Sequence, residues 1–342
     1  MQPAFKFVGY LLLMYRCMNK EACSAPATSH SVAHRLKGAA KLALKPAVKT
    51  AIWLLKITIP LSLLVTLLGY IGVVSYIANL LNPAFGLMGL PGEASLVFIT
   101  SIFLNIYSVI VVMAQLPLTV REITILAVMC LIAHNLFVET AVQAKTGSKA
   151  WHIVLLRLSM AILSAFLLNW ILPIHMKGIV PAAPASVSQN FTELMIDWGK
   201  SACILTLKIA ILVTLLMILQ EVLKEFGVIK ILSKIFSPLL RLFGLPQSTS
   251  FLWIVANILG LAYGSAVMVA EVENGTVTKQ DADLLNFHIA ISHSNLEDLL
   301  LFVAIGAPLL WMLIPRLILA ALAVWCRRWF LSRKRVVVNQ TA

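Results

Sequence analysis

The sequence predicts an all-α polytopic membrane protein of about eight hydrophobic helices, arranged as two tandem pseudo-symmetric repeats with helix breaks and an amphipathic interfacial helix. Three observations carry this expectation. Of 342 residues, 60% are hydrophobic and only 12% charged, with a mean hydropathy of +0.93, too little charge to cover a water-soluble domain. Apolar runs of about 18 residues or more recur, long enough to cross about 30 Å of hydrocarbon. The chain is also written twice. Asn82-Pro83, Gly89-Leu90-Pro91 and Ser95 return 155 positions on as Ser237-Pro238, Gly244-Leu245-Pro246 and Ser250. Tyr107 and Gln115 match Tyr263 and Glu271 at 156, and Thr119, Glu122, His134, Glu139 and Arg157 match Thr278, Asp281, His293, Asp298 and Arg316 at 159. Leucine falls on leucine by chance in such sequence; proline, Gly-Leu-Pro, histidine, acid and arginine in register do not.

A basic segment at 1–49 precedes a first repeat at 50–174, with runs near 51–79, 93–116, 120–141 and 151–174. Residues 1–20 hold a short apolar stretch, Phe7 to Tyr15, without a small-residue cleavage site, so no signal peptide is expected. Asn82 to Gly92 carries Pro and Gly without charge and reads as a turn region. A linker is expected at 175–199, with Pro181 and Pro184. The second repeat, 200–328, offers runs near 201–222, 250–271, 282–306 and 307–328, and a basic tail follows at 329–342. Between its first two runs, Lys230, Lys234 and Arg241 alternate with Ile, Leu and Phe, the pattern of a helix lying in the interface.

The net charge of +13 gathers at the ends, in Arg35, Lys37, Lys41, Lys45, Lys49 and in Arg327, Arg328, Arg333, Lys334, Arg335. By the positive-inside rule both termini are expected in the cytoplasm, in a bacterial inner membrane, with an even number of crossings. Eight crossings would leave the basic segment at 224–242 outside; six, with one re-entrant segment per half, would not. A lipid bilayer and a small solute are the partners expected, a homo-oligomer stays open, and no nucleic-acid role is expected. Five cysteines without CxxC spacing support neither a disulfide framework nor a zinc site.

The strongest local signal is Ser292-His293-Ser294-Asn295-Leu296-Glu297-Asp298, which interrupts sequence of hydrocarbon depth. Ser294 and Glu297 have capping-box spacing, predicting a helix that ends near His293 and another that starts at Ser294. In the first repeat His134-Asn135 precedes Glu139 at the matching place. Five residues span about 140° of an α-helix, so one unbroken helix cannot point His134 and Glu139 the same way. Such breaks build midplane sites in transporters. The bland alternative is a helix end at the membrane surface with acids completing the dipole, and nearby Lys145, Gly147 and Lys149 favour it.

Candidate substrate-binding residues are therefore His134, Asn135, Glu139, Asn257, Glu271, His293, Ser294, Asn295, Glu297 and Asp298. Asn257 is included because it lies mid-run ahead of Gly260 and Gly264, and Glu271 because it ends its run where Gln115 ends the equivalent one. Tyr107 and Tyr263 read as interfacial anchors. Arg157 and Arg316, within apolar runs, need partners; Glu139 and Asp298 give one structural ion pair per repeat. His288 and His293 make a weak metal pair, and no metal or cofactor is expected. No Walker loop, GxSxG, HExxH or GxGxxG occurs, so no enzyme is expected.

Gly-Leu-Pro ahead of a long apolar helix, and His-Asn-Leu-Phe-Val-Glu (134–139) followed by Lys-Thr-Gly-Ser (145–148), resemble the nucleoside-recognition, or Gate, domain. That domain occurs in concentrative nucleoside transporters, the ferrous-iron transporter membrane domain and spore maturation proteins A and B. The chain resembles two Gate units fused, without the GTPase domain of the complete iron transporter. The resemblance implies helical membrane repeats and, by analogy, solute passage. A transporter for a small polar solute, with its site between the repeats, is the function expected; a non-transporting scaffold or assembly protein is the alternative.

Overall fold

In a computed structural model, residues 32–176 and 190–340 are described, apart from the side chains of 53, 57, 262, 263, 265, 266 and 334–340. The apolar stretch at 7–15, most of the expected linker and the end of the basic tail lie outside them. The compact unit Ala39–Ala342 holds all the described helices except the start of the first.

The described helices fall into two series of seven. The first comprises α1 (Val32–Tyr70), α2 (Val73–Leu87), α3 (Ala94–Phe103), α4 (Ile106–Met113), α5 (Val120–Ala133), α6 (Leu136–Lys145) and α7 (Ala150–Ile171). The second comprises α8 (Phe191–Glu225), α9 (Val228–Leu242), α10 (Ser250–Ile258), α11 (Gly260–Glu273), α12 (Lys279–Ile289), α13 (Glu297–Ala304) and α14 (Leu309–Gln340). Each series runs long helix, short helix, two broken pairs, long helix. Among the described residues, five stretches are long and apolar enough to cross a membrane: Val32–Tyr70, Val120–Lys145, Ala150–Ile171, Phe191–Glu225 and Leu309–Arg333.

The eight expected runs thus resolve into more helices, because five of them break. The turn expected at 82–92 begins later: α2 continues through Pro83 to Leu87, and α9 carries Pro238 at the same place. The Gly-Leu-Pro repeat is what ends both helices. Gly89 and Gly244 take φ of 71° and 74°, a left-handed conformation that favours glycine. Their N–H groups bond to Gly86 and Arg241, while Leu90 and Leu245 reach back to Phe85 and Leu240 at 3.0 and 2.8 Å. This is a Schellman cap, and the following proline bars the helix from continuing. The amphipathic helix expected near 224–242 is α9. Its counterpart α2 carries no charged residue, and so merged with the run at 51–79.

Contacts between the series are reciprocal. α4 touches α13 as α11 touches α6, and α5 touches α14 as α12 touches α7. That swap of equivalent elements is the signature of a two-fold relation. From Ile123 to Ala133 α5 is buried on every side, and α12 is buried along most of its length, whereas α7 shows Leu155, Phe166 and Trp170 outward, as lipid-facing helices do. A buried polar seam also joins the halves. Asn286 on α12 donates to Gln143 O, Thr146 Oγ1 and Ser148 Oγ on the α6–α7 turn at 2.9–3.0 Å. Ser148 donates to Asp283 at 2.6 Å, and Arg327 pairs with the other oxygen of Asp283 at 2.8 Å. The Lys-Thr-Gly-Ser motif therefore serves the contact between halves.

Candidate functional site

Both central breaks use one construction. α5 ends at Ala133, His134 is extended, and Asn135 turns at φ 49° into α6. In the second half Ser294 holds the same φ of 49°. Asn135 N–H donates to Ser101 O and Leu104 O, and Ser294 N–H to Ala256 O, on the equivalent broken helix beside each. The carbonyls freed by the break are taken by an arginine from the long helix that closes each repeat. Arg157 donates to Ile132 O and His134 O at 2.6 and 2.7 Å; Arg316 donates to Ile291 O and His293 O at 3.0 and 2.9 Å. Both arginines are fully buried. A guanidinium fork suits this task because it presents several donors in one plane and stays charged.

Two expectations about the second break need correction. α12 ends at Ile289, four residues before His293, and α13 begins at Glu297 with Leu296 as its cap and no side-chain cap bond. The Ser294/Glu297 capping box does not form: Ser294 is turned left-handed, and Glu297 is engaged elsewhere. Nor do the two ion pairs match. Arg157 meets Glu139 at 2.8 Å as expected. Arg316 instead binds Asn295 Oδ1 at 3.0 Å, with no ionic contact to Asp298 among the described residues. Asn295 stands where the first repeat has Leu136, and Asp298 is one methylene shorter than Glu139. The amide takes the free edge of the guanidinium, and Asp298 faces the other repeat.

There the two breaks meet. His134 Nε2 lies 3.1 Å from Glu139 Oε1 and 3.5 Å from Asp298 Oδ2 of the opposite half. His293 Nε2 lies 3.3 Å from Glu139 Oε2, again across the halves. The two imidazole rings are 5.0 Å apart. Tyr107 donates to Glu297 Oε1 at 2.6 Å, and Gln220 on α8 donates to Glu297 Oε2 at 3.1 Å. The acids sit in the first turns of α6 and α13, where the helix dipole favours negative charge.

A cavity of about 180 Å³ opens beside this cluster, lined from both repeats by Asn105, Tyr107, His134, Asn135 and Glu139 and by Gly260, Ser294, Glu297 and Asp298. Six of the ten candidates therefore border it. His293 stands one contact behind, against Glu139. Asn295 and Asn257 bond one another next to Arg316 and hold the break. Glu271, near the C-terminal end of α11, is not a lining residue. His288 does not pair with His293 as a metal site; its Nδ1 accepts from Trp253.

Three site residues, Tyr107, Asn105 and Gln220, were not expected from the sequence. Tyr107 is buried rather than an interfacial anchor, and its repeat mate at Tyr263 was the available signal. Asn105 caps α4 through Ser108 N–H at 3.1 Å. Gln220 has Val65 as the residue 155 positions earlier, and nothing in the repeat could flag it.

This is a duplicated helical membrane protein with a polar, cavity-bordering cluster where broken helices converge. The family model for Gate, described as nucleoside recognition, matches residues 51–149. The uncharacterized membrane protein YvoD of Bacillus subtilis (strain 168) is 33% identical over 271 residues, covering 78% of this chain and 86% of that protein. The chain belongs to this Gate family of membrane proteins. A solved structure of a doubly substituted CNTnw in an outward-facing state matches 80% of this chain and 71% of that one, at 19% identity and a TM-score of 0.42.

Replacing Arg157 with Met would strand Glu139 and two carbonyls inside the protein, so unfolding in detergent should show a loss of about 3–5 kcal/mol. The Arg157→Met, Glu139→Gln double variant should lose less than the sum of the two single losses. Strict additivity would contradict the pairing.

Proposed function

We propose that this protein is a membrane permease for a small polar solute, bound in the cavity between two Gate-type repeats at 50–174 and 200–328. The observation that carries this reading is the convergence of the polar repeat residues on one shared cavity, with acids and imidazoles contributed by both halves. A scaffold would be expected to scatter those residues to helix ends. Buried ionisable groups are costly in a membrane and are retained mainly where they act. The cavity is smaller than the roughly 300–1,000 Å³ of drug-sized sites, which favours a small cargo.

Val138 borders the cavity, while its neighbour Phe137 is exposed and is not a lining residue. Uptake into liposomes carrying the purified protein, surveyed across nucleosides, organic anions, short peptides and divalent metal ions, should exceed that of empty liposomes for at least one class. Val138→Trp should abolish that uptake and Phe137→Trp should not. No uptake of any class, or equal uptake by the two variants, contradicts the permease reading.

We further infer that both basic flanks face the cytoplasm of a bacterial inner membrane, since Lys and Arg gather there. Phosphatase fusions, active only when exported, should be silent at either end. Activity at one end alone would break the even-crossing count.

A further inference from the structure

In both central histidines Nδ1 is fixed as a donor. His134 Nδ1 lies 3.1 Å from Cys130 O, and His293 Nδ1 lies 2.6 Å from Ile289 O. A backbone carbonyl only accepts, so each Nδ1 carries the hydrogen. Each Nε2 is aimed at carboxylate oxygens, from Glu139 and Asp298 for His134 and from Glu139 for His293. A nitrogen facing a carboxylate is repulsive unless a cation, either a proton or a metal ion, lies between them. Both side chains are at least nine-tenths buried, and among the described residues His293 Nε2 and Asp298 Oδ2 have only these ionic contacts, at 3.3 and 3.5 Å.

From this geometry we propose a divalent transition-metal site joining the two repeats, with His134 Nε2, His293 Nε2 and an Asp298 oxygen as its protein ligands. The three ligand atoms lie within 4.8 Å of one another. A tetrahedral ion with arms near 2.1 Å needs separations of about 3.4 Å, within reach of modest side-chain rotation. Two imidazoles with one carboxylate suit zinc, iron(II) or cobalt(II) and suit magnesium or calcium poorly. The Nδ1–H donors to backbone carbonyls orient each ring as the outer partners of metal-bound histidines do. The fourth position faces Glu139 and the cavity. Glu139 is already paired with Arg157, which leaves Asp298 to supply the uncompensated negative charge. The site deepens the permease reading by naming a cargo class for its cavity, but metal binding is testable without transport.

The test is cobalt(II) titration of the full purified chain, free of any polyhistidine tag, read by visible d–d absorption and zinc competition. One cobalt per chain is expected, with tetrahedral-type bands, displaced by zinc and not by magnesium. His134→Gln, His293→Gln and Asp298→Asn should each weaken binding at least about tenfold. Glu271→Gln, away from the cavity, should leave it unchanged, and thermal midpoints show which variants are folded. Absence of cobalt and zinc binding by the folded protein, or equal binding by the His134→Gln, His293→Gln double variant, would overturn the site and leave protons as the cations between these groups. Loss of the metal site with uptake of another solute intact would remove only this inference. Metal binding without any uptake would remove the permease reading and leave the site.

Discussion

One constraint governs the rest of the structure: a helix broken inside a membrane protein frees carbonyls that have no water to receive them. Each such group left unsatisfied costs several kcal/mol. Here the solution is a buried guanidinium, Arg157 for the first break and Arg316 for the second, each bonded to two carbonyls of the interrupted chain. With the carbonyls satisfied, the backbone can turn at Asn135 and Ser294. The turn points a histidine and an acid toward the other repeat, and the helix dipoles of α6 and α13 hold the acids there. The arginines are thus positioning residues: they stabilise the site's geometry without bordering the cavity.

A duplicated sequence produces an asymmetric site. Glu139 and Asp298 are repeat mates and both reach a histidine of the other half, yet only Glu139 also pairs with the arginine of its own repeat. Two side-chain differences account for this: Asp298 is shorter, and Asn295 replaces Leu136 and takes the arginine's free edge. Glu297 stands where the first repeat has Val138, and its pairing with Tyr107 and Gln220 adds a charge that the first half lacks. A two-fold backbone therefore encloses a cavity whose walls differ in charge.

Much of the architecture was legible because proline, glycine and ionisable residues are costly in apolar helices and appear only for cause. The Gly-Leu-Pro pairs marked two helix ends, and the His-acid pairs marked two breaks. What stayed hidden depended on the third dimension. The breaks after Phe103 and Ile258 fall within apolar runs, where Leu104 and Leu259 look like any core leucine. The repeat alone pairs Asp298 with Arg316, since register says nothing about which side chain reaches farthest. Gln220 and the Asp283–Asn286–Ser148 seam join elements far apart in sequence. The His134–His293–Asp298 cluster draws one histidine from each repeat, whereas sequence proximity pointed to His288.

The two repeats meet through their helix breaks, and the contact that crosses them most directly is Tyr107 to Glu297 at 2.6 Å. A double-mutant cycle on Tyr107→Phe and Glu297→Gln, read as unfolding free energy in detergent, measures that contact. The predicted coupling is about 0.5–3 kcal/mol, as found for side chains in direct contact. Additive effects, with no coupling between the two positions, would contradict the meeting of the repeats at this point.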